Sequence, residues 1–97
     1  MGKKEMLDIY SKALEKWGEG PQIMMLFEEC GELLNAMSKI TRGRGEVKDV
    51  ITELADVSIM VEQIGLLLGY EDFEKEKEKK LKRLKSKLKE HNENEND

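Results

Sequence analysis

The fold is decided by residues 21–69, which read PQIMMLFEECGELLNAMSKITRGRGEVKDVITELADVSIMVEQIGLLLG. Apolar residues recur at spacings of three and four on both sides of a short break at residues 41–45, TRGRG. This spacing predicts two amphipathic helices, over about 21–40 and 47–68, because it gathers apolar side chains on one helical face. The glycines of the break indicate a tight turn, and so short a connection favours antiparallel packing of the two helices. We expect Gly69 to end the second helix.

One further helix is predicted on each side of this hairpin. Residues 4–17 repeat apolar side chains at helical spacing, and a Gly-Glu-Gly-Pro sequence at 18–21 follows them. Residues 72–89 carry a thin stripe of leucines among lysines, and residues 91–97 are polar and predicted to be a disordered tail. The sequence therefore predicts an all-α, oligomeric four-helix bundle, with a single domain over residues 1–90.

Composition narrows the class of protein further. The 97 residues are 39% charged, with 17 basic and 21 acidic side chains and a net charge of −4. Residues 1–73 contain 8 basic and 14 acidic side chains, which argues against a surface for nucleic-acid phosphates. Because the chain has one cysteine, no signal peptide and no apolar run near 18 residues, we expect a cytoplasmic protein that binds neither nucleic acid nor membrane.

Two pairs of carboxylates interrupt the central hairpin. Glu29 and Glu32 lie three residues apart on the first helix, and Glu53 and Asp56 repeat that spacing on the second. The two pairs lie at similar distances from the turn, so antiparallel packing is expected to crowd four carboxylates together. A lone Glu-x-x-Glu is common on helix surfaces, but matched pairs within apolar helices are more informative. Oxygen-only ligands of this kind are preferred by Mg²⁺, with Mn²⁺ as the alternative.

A di-iron four-helix bundle also uses carboxylates that point into the bundle. Such a site requires Glu-x-x-His pairs. The chain has a single histidine, His91, which lies in the predicted tail. The sequence therefore does not favour a di-iron site.

These motifs resemble those of a known family. The sequence Glu28-Glu29-x-x-Glu32-Leu33, followed by Glu53-Leu54-x-Asp56-Val57, resembles the signature of the MazG-like, all-α nucleoside triphosphate pyrophosphatases. Lys16-Trp17-Gly18-(x)3-Gln22 and Lys39-(x)2-Arg42-Gly43 also resemble short single-domain members from phages and bacteria. The resemblance covers roughly residues 10–85.

The resemblance implies an enzyme that hydrolyses nucleoside or deoxynucleoside triphosphates to the monophosphate and pyrophosphate with Mg²⁺. It implies that Glu29, Glu32, Glu53 and Asp56 are the metal ligands. It also implies that Glu28 orients or deprotonates the attacking water. Members of the family work as dimers or tetramers, so a homodimer or homotetramer is expected.

Several basic residues are candidates for binding the phosphates. Lys39 and Arg42 follow the acidic pair of the first helix, although cations at that place also complement a helix dipole. Lys80 and Arg83 resemble a Lys-(x)2-Arg element of the family that faces the phosphates. In so lysine-rich a segment, a solvated cationic face is the stronger interpretation.

Trp17 and Gln22 are candidates for a pocket that holds the nucleobase by stacking and hydrogen bonding. An anchor in the core or in an interface explains Trp17 equally well. Two alternative functions remain at this point. One is a phosphoribosyl-ATP pyrophosphatase, and the other is a non-catalytic helical protein that binds a nucleotide or another protein.

Overall fold

The computed structural model of the protein describes the backbone of residues 1–95 and the side chains of residues 1–92. It contains three helices: α1 (Lys3–Trp17), α2 (Glu19–Thr41) and α3 (Val47–Glu95). The described residues include no β-strand. The prediction of an all-α protein is confirmed.

The breaks between the helices occur at glycines, as the sequence predicts. Gly18 separates α1 from α2 with a φ of 90°, and its N–H donates to Leu14 O at 2.9 Å. Residues 42–46 join α2 to α3, and within them Gly43 and Gly45 have φ values of 73° and 72°. These angles lie in the left-handed region, which favours glycine. The turn sends the chain back along α2, so α2 and residues 47–68 form an antiparallel hairpin.

The third and fourth helices predicted from the sequence are two parts of α3. The helix is interrupted at Gly69, where φ is 135° and ψ is 90°, and it resumes at once instead of at residue 72. We call residues 70–95 the arm. At its beginning, Tyr70 Oη donates to Glu62 Oε2 at 2.9 Å, and Lys3 Nζ donates to Glu74 Oε2 at 2.7 Å. These bonds tie the start of the arm to the rest of α3 and to α1.

The rest of the arm leaves the body of the protein. Every residue from 75 to 92 is exposed, so this part of the predicted bundle is not packed against the other helices. Ion pairs between residues four apart support the helix, at 3.3 Å for Lys75–Glu71 and 3.5 Å for Lys82–Glu78. No glycine or proline follows Gly69. The helix therefore continues to Glu95, through residues 91–95 of the predicted disordered tail, while residues 96 and 97 lie outside the described part.

The core of the single chain is small. Tyr10, Val50 and Met60 are the apolar side chains buried among the described residues, and Gln22 and Gln63 are buried beside them. Many large apolar side chains on the hairpin are exposed instead, so much of the apolar surface of the isolated chain faces water. No helix of the described residues combines the length and the apolar content needed to cross a lipid bilayer.

Candidate metal centre

The α2–α3 hairpin brings acidic side chains from both helices together. One carboxylate oxygen from each of Glu29, Glu53 and Asp56 lies within 4.8 Å of the others, and all three side chains are half-buried. We count Glu32 as the fourth member of this acidic cluster, because its negative charge is a cause of the raised pKa of both Glu29 and Glu53. The spacing of three residues and the tight turn suffice to explain this arrangement.

Two oxygens of the acidic cluster lack a hydrogen-bond donor. Glu29 Oε2 and Glu53 Oε2 are inaccessible to solvent and accept no hydrogen bond. No ion pair within the described part of the chain reaches the cluster. Buried carboxylate oxygens without a partner carry a desolvation penalty, which a bound cation removes.

The cluster also shifts the titration of its members. Burial raises the pKa of the Glu29 carboxyl, and the negative charges of Glu32, Asp56 and Glu53 raise it further. Burial likewise raises the pKa of Glu53, together with the charges of Glu32 and Asp56. Both shifts have the direction expected when like charges are crowded in a partly desolvated place. The ionised cluster is therefore electrostatically unfavourable without a counter-charge.

The donor set fits a hard divalent cation. The four side chains offer only carboxylate oxygens, the ligand type that Mg²⁺ and Mn²⁺ prefer. His91 is exposed on the arm, so it does not join the acidic cluster. Cys30 is half-buried and follows Glu29 directly, and one residue along a helix points in a different direction.

A cavity of about 240 Å³ adjoins the cluster beside the turn. Glu32 and Glu53 border it, and Lys39 lines the same cavity. Lys39 therefore shares a cavity with two members of the acidic cluster. Asn35, Glu46 and Asp49 also line this cavity and are not among the predicted site residues. Asp49 lies four residues before Glu53 and therefore on the same helical face. This spacing in the sequence indicates that the two side chains lie close together.

The Arg42 side chain, unlike that of Lys39, forms hydrogen bonds to the last turn of α2. Its Nε donates to Ser38 O at 3.3 Å, and its guanidinium also donates to Ser38 Oγ. Arg42 does not border the cavity that contains Lys39. The structure favours the interpretation of Arg42 as a cation that satisfies the last turn of α2.

A second cavity, of about 590 Å³, lies at the start of α2. Trp17, Gln22 and Glu28 line it together with Pro21, Met24 and Met25. Trp17 is exposed, so it is not a core residue, whereas Gln22 is buried. Glu28 borders this second cavity and is not part of the acidic cluster. We call it the aromatic cavity.

Lys80 and Arg83 are not brought to the cluster within one chain. Both are exposed on the arm, and Lys80 Nζ lies 3.9 Å from Glu76 Oε1 on its own helix. Their exposure agrees with a solvated cationic face within one chain. Helical continuity beyond Gly69 carries them away from the body.

Comparison of the chain with protein-family models, curated proteins and solved structures finds no match.

Proposed function

We propose that this protein is a Mg²⁺-dependent nucleoside triphosphate pyrophosphohydrolase, which converts a nucleoside or deoxynucleoside triphosphate and water into the monophosphate and pyrophosphate. The observation that carries the proposal is the convergence of Glu29, Glu53 and Asp56 from two helices within 4.8 Å. Two of these carboxylates have inaccessible oxygens without a donor. The resemblance of both acidic motifs to the MazG-like family adds the reaction type.

The acidic cluster is proposed to hold the metal through Glu29, Glu32, Glu53 and Asp56. When bound, Mg²⁺ neutralises charge on the triphosphate and lowers the pKa of a coordinated water. Lys39 supports phosphate binding at the same place, because its side chain lines the cavity bordered by Glu32 and Glu53. An ammonium group there offsets negative charge on a phosphate oxygen.

The order of residues along α2 supports an arrangement for the nucleotide. The aromatic cavity lies between Trp17 and Glu28, the acidic cluster begins at Glu29, and on α2 the first cavity is lined by residues from Glu32 to Lys39. We propose that the nucleobase lies beside Trp17 and Gln22, and that the phosphates extend toward the cluster. Glu28 borders the aromatic cavity and lies outside the acidic cluster, so its assignment to orient the attacking water rests on the resemblance alone.

A second copy of the chain is proposed to complete the helical bundle. Phe27 and Leu34 are 61% and 70% exposed and lie seven residues apart on one face of α2. Ile51 and Leu54 are 60% and 51% exposed on α3. Exposed apolar side chains of this number are typical of association surfaces. Packing two α2–α3 hairpins through these faces gives the expected homodimer, of which two copies form a tetramer.

The proposal is tested by a pyrophosphate-release assay over the common ribonucleoside and deoxyribonucleoside triphosphates, with Mg²⁺ and with EDTA. We expect metal-dependent release of pyrophosphate and monophosphate from at least one of them. Release of orthophosphate would show that the reaction assignment is wrong. Mg²⁺ binding without turnover of these nucleotides or of phosphoribosyl-ATP would favour a non-catalytic binding protein.

A further inference from the structure

The arm carries an apolar stripe that none of the described residues of its own chain covers. Leu81, Leu84 and Leu88 are 57%, 53% and 58% exposed, and spacings of three and four place them on one helical face. Tyr70 and Phe73 occupy the same face at the beginning of the arm. Those two rings pack on the body and on each other, with centroids 6.0 Å apart. The stripe therefore continues a packed face into solvent.

The chain cannot cover this stripe by itself. At a rise of 1.5 Å per residue, Leu84 lies about 16 Å beyond Phe73 along a helix that has no break after Gly69. The leucines cannot fold back onto the hairpin without unfolding that helix. A surface that covers them would therefore have to come from another molecule.

Charge along the arm changes sign between its two halves. Residues 70–78, which we call the root, contain five acidic and two basic side chains, a net charge of −3. Residues 79–89, KKLKRLKSKLK, contain seven basic side chains and no acidic one, a net charge of +7; we call them the tip. Two arms in parallel would place tip against tip. Two antiparallel arms place each tip against the root of the other copy, where the charges are opposite.

The root also offers a hollow of suitable chemistry. A cavity of about 330 Å³ lies on the stripe side of the root, with Tyr70, Phe73 and Leu81 as its apolar lining. Three glutamates and one lysine also line this cavity, which gives it a net negative charge; they are Glu62, Glu74, Glu78 and Lys77. An amphipathic helix with leucines on one face and lysines beside them matches this hollow as a helix-in-groove ligand.

We propose that the arms of two copies of this chain pair antiparallel, with the Leu81–Leu84–Leu88 stripe of each tip packed at the acidic root of the other. The proposal is independent of the catalytic proposal. An anionic membrane or a nucleic acid suits the tip less well, because residues 1–73 carry a net charge of −6 and repel such partners.

Photo-crosslinking of the full-length chain tests this pairing. In a Cys30→Ser background, Lys85→Cys places a benzophenone label beside the stripe, and Ser86→Cys places it on the opposite face as the matched control. Light and isotopically heavy chains are mixed, so that mass spectrometry separates crosslinks between copies from those within one copy. We expect the Lys85→Cys label to crosslink to residues 62–78 of the other copy, and the Ser86→Cys label to do so much less.

Two further measurements sharpen the test. Leu84→Gln with Leu88→Gln should reduce the yield to that of the control without loss of circular dichroism, because neither leucine is buried in the body. Higher salt should also reduce it, because the pairing is electrostatic in part. Crosslinks from tip to tip, crosslinks only within one copy, or a yield equal for both labels would each overturn the proposal.

Discussion

Glu29 on α2 and Asp56 on α3 present carboxylate oxygens to each other within 4.8 Å across the hairpin. The charge of Asp56 is one cause of the raised pKa of Glu29. No ion pair among the described residues offsets the repulsion between these two acids. Two carboxylates held this close without a counter-charge make the metal-free fold less stable.

Metal-free stability should depend on pH through this cluster. A carboxyl whose pKa is higher in the folded than in the unfolded chain makes folding less favourable as pH rises from the ordinary value of 4.5 through the raised pKa. We therefore expect Glu53→Gln to shift the urea midpoint upward at pH 7 in EDTA, with a gain that shrinks as pH falls toward 4.5. Urea denaturation of variant and wild type across this range measures it.

With Mg²⁺ in place of EDTA, the wild type should have a higher urea midpoint than Glu53→Gln. Wild type then gains stability from binding, and the variant gains less. Glu15→Gln, on the exposed surface of α1, serves as the charge-matched control and should change neither series. A Glu53→Gln gain that is equal at all pH values would contradict the cluster as its cause.

Lys39 and Arg42 should differ in their effects on activity. Lys39 lines the cavity at the acidic cluster, whereas Arg42 donates to Ser38. Loss of a charged hydrogen bond costs about 1.5–3 kcal/mol, so Lys39→Ala should lower kcat/KM by about 10- to 160-fold. Arg42→Ala should leave kcat/KM nearly unchanged. Steady-state kinetics of the two variants measure this difference. An equal loss of kcat/KM in both would contradict the different roles assigned to Lys39 and Arg42.

Trp17 should report nucleotide binding directly. It is the one tryptophan of the chain and lines the aromatic cavity. A nucleobase stacked on its ring should change its fluorescence, and removal of the stacking partner should cost about 1–3 kcal/mol of binding. Titration with a nucleoside monophosphate measures the first effect, and Trp17→Ala measures the second. Turnover without any fluorescence change would place the base elsewhere.

Gly65 should be needed for the close approach of the arm. A Cβ added there would lie 2.9 Å from the Phe73 ring, so Gly65→Ala must displace the ring or the arm. We expect a loss of about 1–3 kcal/mol in the free energy of unfolding. Gly20→Ala is the control, because nothing lies within 4 Å of its added Cβ. Thermal denaturation of the two variants compares them, and equal stability would argue against tight Gly65–Phe73 packing.

Much of the hairpin follows from local rules. Helical periodicity and the glycines at 43, 45 and 69 predict where the helices break, and these positions have positive φ in the structure. The meeting of Glu29 with Asp56 follows from counting residues outward from the turn. Both depend on regular helix geometry and on one short turn, which the local sequence specifies well.

Side-chain directions and long-range packing could not be predicted in the same way. Arg42 is a residue type that often binds phosphate, but in the structure its Nε donates a hydrogen bond to the Ser38 carbonyl. The arm has the periodicity of a packed helix, but its leucines extend beyond the body. The hydrogen bond of Arg42 and the packing of the arm both depend on which other groups lie nearby in three dimensions. The spacing of residues along the sequence does not determine those neighbours.

The most direct test of the central claim compares wild type with Asp56→Asn in a pyrophosphate-release assay with Mg²⁺, after equal helical circular dichroism has been verified. The account predicts that wild type releases pyrophosphate and nucleoside monophosphate in equal amounts with Mg²⁺ and neither in EDTA, and that Asp56→Asn releases neither. Undiminished release by Asp56→Asn, or release by wild type in EDTA, would contradict it.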